Sequence, residues 1–144
     1  MVCGCLCGQV EFEIVGEMLN LYQCHCSLCR KQGGSTSNTA TIVESKNFRW
    51  LSGQEKIASW VKDNGFRSDF CSKCGTLVPN PLDKASYFWV PAGLFSEEVQ
   101  STIVAHLYVG SKASWDSISL SGKQYETMPE LAEVIKLLQS NGHV

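Results

Sequence analysis

This sequence has no long apolar run. No stretch approaches the roughly 18 consecutive apolar residues that a membrane-spanning helix needs, which excludes such a helix at the level of sequence. It has no basic excess either. Twelve Lys and Arg against 14 Asp and Glu give a net charge of −2, so the electrostatic footprint expected of a nucleic-acid or anionic-membrane binder is missing. Charged residues make up only 18% of the chain against 44% hydrophobic ones, which excludes a disordered chain and leaves a globular one. There is no internal repeat, low-complexity tract or linker, and 144 residues are ample for one core, so residues 1–144 are expected to form a single domain. The opening Met1-Val2-Cys3-Gly4-Cys5 offers neither a basic n-region nor an apolar h-region, so no secretory leader is expected and a cytoplasmic setting is.

What the chain does have is cysteine, eight in all. Seven fall in three tight clusters: Cys5-Leu6-Cys7-Gly8, Cys24-His25-Cys26-Ser27-Leu28-Cys29 and Cys71-Ser72-Lys73-Cys74-Gly75. In a reducing compartment disulfides seldom persist, and clustered thiols serve as metal ligands or catalytic groups. The alternative, four bridges in an oxidising compartment, suits shorter and more loop-rich scaffolds.

The segments around the clusters read mostly as strands. Val10 to Val15 alternates apolar and polar, the period of a strand with one buried face. Leu19 to Gln23, Thr39 to Val43, Phe48 to Leu51 and Ile57 to Val61 are further extended candidates, and Lys31 to Asn38 is a polar, Gly-rich loop. Asp63-Asn64-Gly65 is the best hairpin turn, because Asn-Gly tolerates the positive φ of tight turns. Phe66 to Phe70 then delivers Cys71. Thr76 to Val78 continues until Pro79-Asn80-Pro81 stops it, Tyr87 to Val90 reads as a buried strand, and Ile103 to Val109 is the last clear one. A single helix is expected, Pro129 to Ser140. Leu131, Val134, Ile135 and Leu138 form one apolar stripe, Thr127 and Glu130 fit a capping box, and Asn141-Gly142 supplies the stop.

Spacing ties the cysteines to metal chemistry. A structural zinc takes four ligands in a tetrahedron, usually from two close pairs brought together by the fold. Cys71-x-x-Cys74-Gly75 has the knuckle spacing, with Gly75 free to take unusual backbone angles. Cys5-x-Cys7 places two side chains on one face of an extended segment. The middle cluster supplies three thiolates and no obvious fourth, and three protein ligands with an open position is the pattern of catalytic zinc. Three thiolates on Zn²⁺ leave a net charge of about −1, a poor generator of hydroxide but a good partner for an incoming thiol kept deprotonated at neutral pH. Spacing does not say which cysteines share an ion. Cys3 could be a free thiol or a fourth ligand, and His25 or Cys3 could complete the middle cluster as a second structural site.

Cys5-Leu6-Cys7-Gly8, Cys24-His25-Cys26-Ser27-Leu28-Cys29-Arg30-Lys31 and Phe70-Cys71-Ser72-Lys73-Cys74-Gly75-Thr76 together resemble the glutathione-dependent formaldehyde-activating enzyme family, also called the Gfa or centromere-protein-V domain family. Ala105 to Trp115 resembles its C-terminal motif, so the likeness runs from about Gly4 to Trp115. It implies an Mss4-like, mainly β fold of antiparallel sheets with one C-terminal helix. It also implies a structural zinc on Cys5, Cys7, Cys71 and Cys74 and a second zinc on Cys24, Cys26 and Cys29. The family's named reaction joins formaldehyde to glutathione, giving S-hydroxymethylglutathione, and is classed with carbon–sulfur lyases. Cys3 lies outside the family's pattern.

The expected function is therefore a zinc-dependent carbon–sulfur lyase acting on the adduct of an aldehyde with glutathione or a similar thiol. Cys24, Cys26 and Cys29 are its catalytic metal ligands, and no nucleic-acid or membrane partner is expected. Arg30, Lys31 and Lys112 could meet the carboxylates of the thiol substrate, since Arg and Lys suit anionic groups. His106, Ser111 and Trp115 are further candidates for substrate contact, although a hydrogen-bonded sheet histidine is the simpler account of His106. Two rival functions remain open, a non-enzymatic zinc-binding interaction domain and a redox or metal-buffering protein.

Overall fold

The computed structural model describes residues 1–17, 19–96 and 98–140. The described residues are mainly β, with antiparallel pairing predominant and, among them, two α-helices, one of them C-terminal. It divides into two compact units, Met1–Glu17 with Ile42–Val99, and Met18–Thr41 with Gln100–Val144. No helix among the described residues is long and apolar enough to cross a membrane.

In the first unit β1 (Val2–Gly4), β2 (Glu11–Ile14) and β5 (Phe48–Ser52) form an antiparallel sheet in the order β1-β2-β5. The alternation of Glu11-Phe12-Glu13-Ile14 is realised directly, with Phe12 and Ile14 buried and the glutamates half-buried. Phe12 packs on Phe48 at 5.5 Å between ring centroids, Phe48 stacks on Phe88 at 4.1 Å, and Trp50 meets Phe48 edge-on at 5.0 Å. At the end of β5, Gly53 has φ +80°, and a Cβ there would stand 2.0 Å from the Gln9 carbonyl oxygen, so only glycine fits.

The turn Asp63-Asn64-Gly65 joins β6 (Ile57–Val61) to β7 (Arg67–Cys71) as an antiparallel hairpin, with Gly65 at φ +91°. Thr76 to Val78 forms no strand, contrary to the sequence expectation, but only an isolated bridge from Leu77 to Phe70, and the next strand begins within Pro79-Asn80-Pro81 where a stop was expected. β8 (Asn80–Leu82) contains Pro81 and pairs antiparallel with β9 (Tyr87–Pro91), a position at a sheet edge where a missing N–H costs no ladder bond.

In the second unit β3 (Leu21–Cys24) lies between an antiparallel and a parallel neighbour. β4 (Asn38–Glu44), whose later residues belong to the first unit, is the antiparallel one, and β10 (Ile103–Leu107) is the parallel one. β11 (Lys123–Gln124) also runs parallel to β10, so this sheet is mixed.

Two helical details differ from the expectation. Ser27–Gly33 is an α-helix, α1, where the loop was expected to begin at Lys31. In α2 (Leu131–Gln139) Glu130 is the N-cap and makes no side-chain cap bond, so the capping box is not formed. The apolar stripe is right, with Val134 and Leu138 buried and the helix packed against β10. The expected stop at Asn141-Gly142 lies outside the described residues.

Candidate metal centre

The first unit gathers four thiols. Cys5 and Cys7 follow β1, Cys71 ends β7, and the turn Ser72-Lys73 returns the chain to Cys74. The knuckle closes on itself through Gly75 N–H to the Cys71 carbonyl at 2.8 Å and Cys71 N–H to the Thr76 carbonyl at 2.9 Å. Gly75 takes φ +80°, the left-handed angle that its position after the CxxC requires. The four Sγ atoms all lie within 4.8 Å of one another. Cys5 Sγ is 3.6 Å from Cys7 Sγ, which is 3.8 Å from Cys71 Sγ.

These distances test whether zinc fits. With Zn–S at about 2.3 Å, the edge of a regular S₄ tetrahedron is about 3.8 Å. Thiols in ordinary van der Waals contact have no reason to converge four at a time, so the donor set matches a tetrahedral cation. The N–H groups around it suit thiolates as well. Val10 N–H donates to Cys5 Sγ at 3.3 Å, and the Thr76 hydroxyl lies 3.2 Å from Cys74 Sγ.

Acidities follow that environment. The Thr76 hydroxyl and backbone N–H bring the Cys74 thiol down to about 5. For Cys5, burial alone raises the pKa, but the Val10 N–H and the neighbouring thiols leave it lowered. Cys7 receives a backbone bond from Gln9, yet desolvation and the adjoining thiols push it up to about 11.

The second unit gathers three. Cys24 ends β3, Cys26 is the N-cap of α1, and Cys29 is one turn into the helix, facing inward. Cys29 N–H donates to Cys26 Sγ at 3.3 Å, so the sulfur takes the place of a capping oxygen. The three sulfurs lie within 4.8 Å of one another, and among the described residues no fourth His, Cys, Asp or Glu joins them. Cys24 and Cys29 are buried while Cys26 is half-exposed, so the group opens on its Cys26 side. A bond from Cys29 lowers Cys24 to about 6, and the same bond, with burial, pushes Cys29 strongly up. None of the eight cysteines is in a disulfide. Cys3 belongs to neither group and sits buried in β1 opposite Phe12.

His25 does not complete the three-thiol group. Its side chain points to His106 on β10, with His25 Nε2 3.1 Å from His106 Nδ1, and His106 Nε2 is 2.9 Å from the Ser121 carbonyl oxygen. Asp116 Oδ2 lies 3.6 Å from His25 Nδ1. Burial, then His106, lowers the pKa of His25 against the opposing pull of the Asp116 carboxylate. Asp116 went unremarked in the sequence because it lies in a loop, where no periodicity marks it.

The remaining candidates are scattered around the second unit. Arg30 is half-buried in α1, with its Nε buried and unpartnered, while Lys31 is exposed. Ser111 and Lys112 are exposed, and Lys112 Nζ donates to the Asp116 carbonyl at 3.0 Å. Trp115 is 73% exposed and His106 only 1%.

Comparison with known proteins gives one family and one fold. The family model described as glutathione-dependent formaldehyde-activating enzyme matches residues 1–111. Among curated proteins none matches. Among solved structures, the crystal structure of a Rhodobacter sphaeroides protein is similar in fold at a TM-score of 0.57 and 22% identity, covering 72% of this chain and all of that one.

Proposed function

Because the chain belongs to the glutathione-dependent formaldehyde-activating enzyme family, we propose that it is a zinc-dependent carbon–sulfur lyase-type enzyme acting on a thiol–aldehyde adduct. Glutathione or a similar thiol is the substrate, and S-hydroxymethylglutathione is the adduct the family's reaction suggests. Residues 1–144 act as one functional domain in this reading, and reducing surroundings such as the cytoplasm keep its thiols competent for metal.

The observation that carries the proposal is the unequal pair of thiol groups, four in one and three in the other. Cys5, Cys7, Cys71 and Cys74 bring four sulfurs within 4.8 Å of one another, the number a closed structural zinc takes. Cys24, Cys26 and Cys29 leave a position free, which suits a working one. When bound there, zinc supplies a Lewis-acidic position that holds a substrate thiol in its deprotonated form at neutral pH.

The chain's own residues prepare that position. Cys29 N–H steadies the Cys26 sulfur, and α1 sets Cys29 one turn from the N-cap so that three sulfurs converge. The half-exposed Cys26 marks the side from which substrate enters. Arg30, with a buried Nε awaiting an acceptor, is the first choice to meet a substrate carboxylate, with the adjacent Lys31 and the distant-in-sequence Lys112 as further exposed cations. Ser111, Trp115 and His106 are held as substrate contacts of lower rank. In the reaction the thiol sulfur bonds to the aldehyde carbon, and the thiol proton ends on the new hydroxyl oxygen.

The test is a titration of the metal-loaded protein with glutathione, following heat and proton release in two buffers. Binding should release about one proton near pH 7, as thiol becomes thiolate. Cys26→Ser should abolish both binding and release while the circular dichroism spectrum is kept. Glutathione binding that survives Cys26→Ser with unchanged proton release would refute the assignment.

A further inference from the structure

α1 has little of what ordinarily holds a helix in place. Its seven residues fall short of the roughly 12–15 that let an isolated helix persist in water. It buries only Cys29, so no apolar stripe fastens it to the sheet. Yet α1 carries Cys29 and is capped by Cys26, and both sulfurs stand within 4.8 Å of Cys24 at the end of β3. Something other than helix propensity or apolar burial must set that distance.

The first residue of β4 is placed to do so. Asn38 lies directly opposite Cys24 in the antiparallel pairing of β3 with β4. Opposed residues in such a pair point to the same face, so the Asn38 carboxamide stands beside Cys24. Asn38 is 8% exposed, and a carboxamide buried that far needs hydrogen-bond partners within the protein. It finds one in α1, where Asn38 Nδ2 donates to Gln32 Oε1. Gln32 follows Cys29 by three residues and so shares its side of the helix. The other end of the carboxamide packs on the helix backbone, since a Cβ on Gly33 would stand 2.8 Å from Asn38 Oδ1. Gly33 has no left-handed backbone angle to call for glycine, so this close approach is what keeps position 33 bare.

We propose that Asn38 is the positioning residue of the three-thiol group: bonded to Gln32 and packed on Gly33, its carboxamide fixes α1 against β3 so that Cys26 and Cys29 close on an ion together with Cys24. Asn38 neither ligates the ion nor meets substrate in this account. It acts through the helix, in the way that groups behind a metal site orient the ligands in front of them. The four-thiol group has no part in the contact, because Asn38, Gln32 and Gly33 all belong to the second unit. The proposal rests on the reading of the three thiols as a metal site, and its test separates the two.

The experiment is competition of the zinc-loaded full chain with a chelating indicator at neutral pH, which gives a dissociation constant for each thiol group; Cys26→Ser identifies which constant belongs to which. Asn38→Ala should weaken zinc at the three-thiol group about tenfold to a hundredfold and leave the four-thiol constant unchanged. Gly33→Ala is the second arm and does not depend on Asn38→Ala folding. Alanine is the better helix former, so the helix alone gives no reason for a loss. Its Cβ must turn the Asn38 carboxamide aside, and zinc at the three-thiol group should weaken in the same way. Both changes act through one contact, so the double variant should lose no more than the worse single one. Unchanged three-thiol affinity in the single variants, an equal loss at both thiol groups, or fully additive losses would each overturn the proposal. An unmodified chain that takes zinc only at the four-thiol group would instead refute the metal reading itself, and the proposal with it.

Discussion

The three sulfurs of the second unit do not start from equal protonation. Cys24, drawn down to about 6 by its bond from Cys29, is a thiolate at neutral pH, while Cys29, pushed strongly up, keeps its proton. Metal uptake must therefore expel the Cys29 proton at any working pH, and below about 6 it must also expel one from Cys24. The sign follows from the depressed value: the ionised form of Cys24 is present above its folded pKa and is lost as pH falls through it. The logarithm of zinc affinity at this site should thus drop with pH by one further unit per pH unit once pH passes below about 6. Competition with a chelating indicator between roughly pH 5 and pH 8 measures that slope, and a slope that does not steepen would contradict the assignment of Cys24 as the site's ready thiolate. A second residue-scale expectation concerns Gly53, where a Cβ would meet the Gln9 carbonyl oxygen at 2.0 Å. Gly53→Ala should destabilise the protein by about 2 kcal/mol or more in denaturant titration, whereas Gly65→Ala, with open space around it, should cost about 1 kcal/mol. All seven clustered cysteines could be read from sequence because their spacing is local. The Asp116–His25 confrontation could not, because it joins residues 91 positions apart through the pairing of β3 with β10.

At the scale of elements, hydrophobic periodicity located most strands and α2, and it failed where the period is short or the reason for extension is not burial. α1 has seven residues and buries only Cys29, so no apolar stripe could announce it. Its ends are instead chemical, a sulfur at the N-cap and Gly34 at φ +64° closing on the Arg30 carbonyl. Pro81 misled for the opposite reason, since proline is excluded from central strands but not from an edge. α2 carries the clearest prediction at this scale. Leu138 is 2% exposed, and its carbonyl accepts from Asn20 N–H at 3.0 Å, so its side chain and backbone both hold the helix to the second unit. Leu138→Ala should cost about 2–5 kcal/mol, read as a lowered denaturant midpoint. Lys136→Ala, an exposed change in the same helix, should stay within about 0.5 kcal/mol. Equal effects of the two would mean that α2 is held by helix propensity and not by its buried stripe.

Across the whole molecule the two thiol groups differ less in chemistry than in how much chain each one fastens. Cys7 and Cys71 stand 64 residues apart, so an ion held by the first group closes a long loop that takes in about half of the first unit and also Met18–Thr41 of the second. Closing a loop of that size costs about 4 kcal/mol, and structural zinc in small zinc-finger domains contributes about 10–16 kcal/mol at neutral pH, well beyond that cost. A domain's whole stability is about 5–15 kcal/mol, so losing this ion should remove the fold with it. Cys24, Cys26 and Cys29 lie within one β-strand end and one helical turn, and an ion there closes almost no chain. Removing it should leave the strands and α2 in place. Graded chelation, followed together by native mass spectrometry and circular dichroism, should then show two steps. The first loses one zinc per chain with the spectrum unchanged, and the second loses the other as the β signal collapses. Cys26→Ser should delete only the first step. Cys71→Ser should produce a chain that never gains the folded spectrum at all. If both ions left together, or if Cys71→Ser melted cooperatively at the unmodified temperature, the four-thiol group would not be what fastens the first unit.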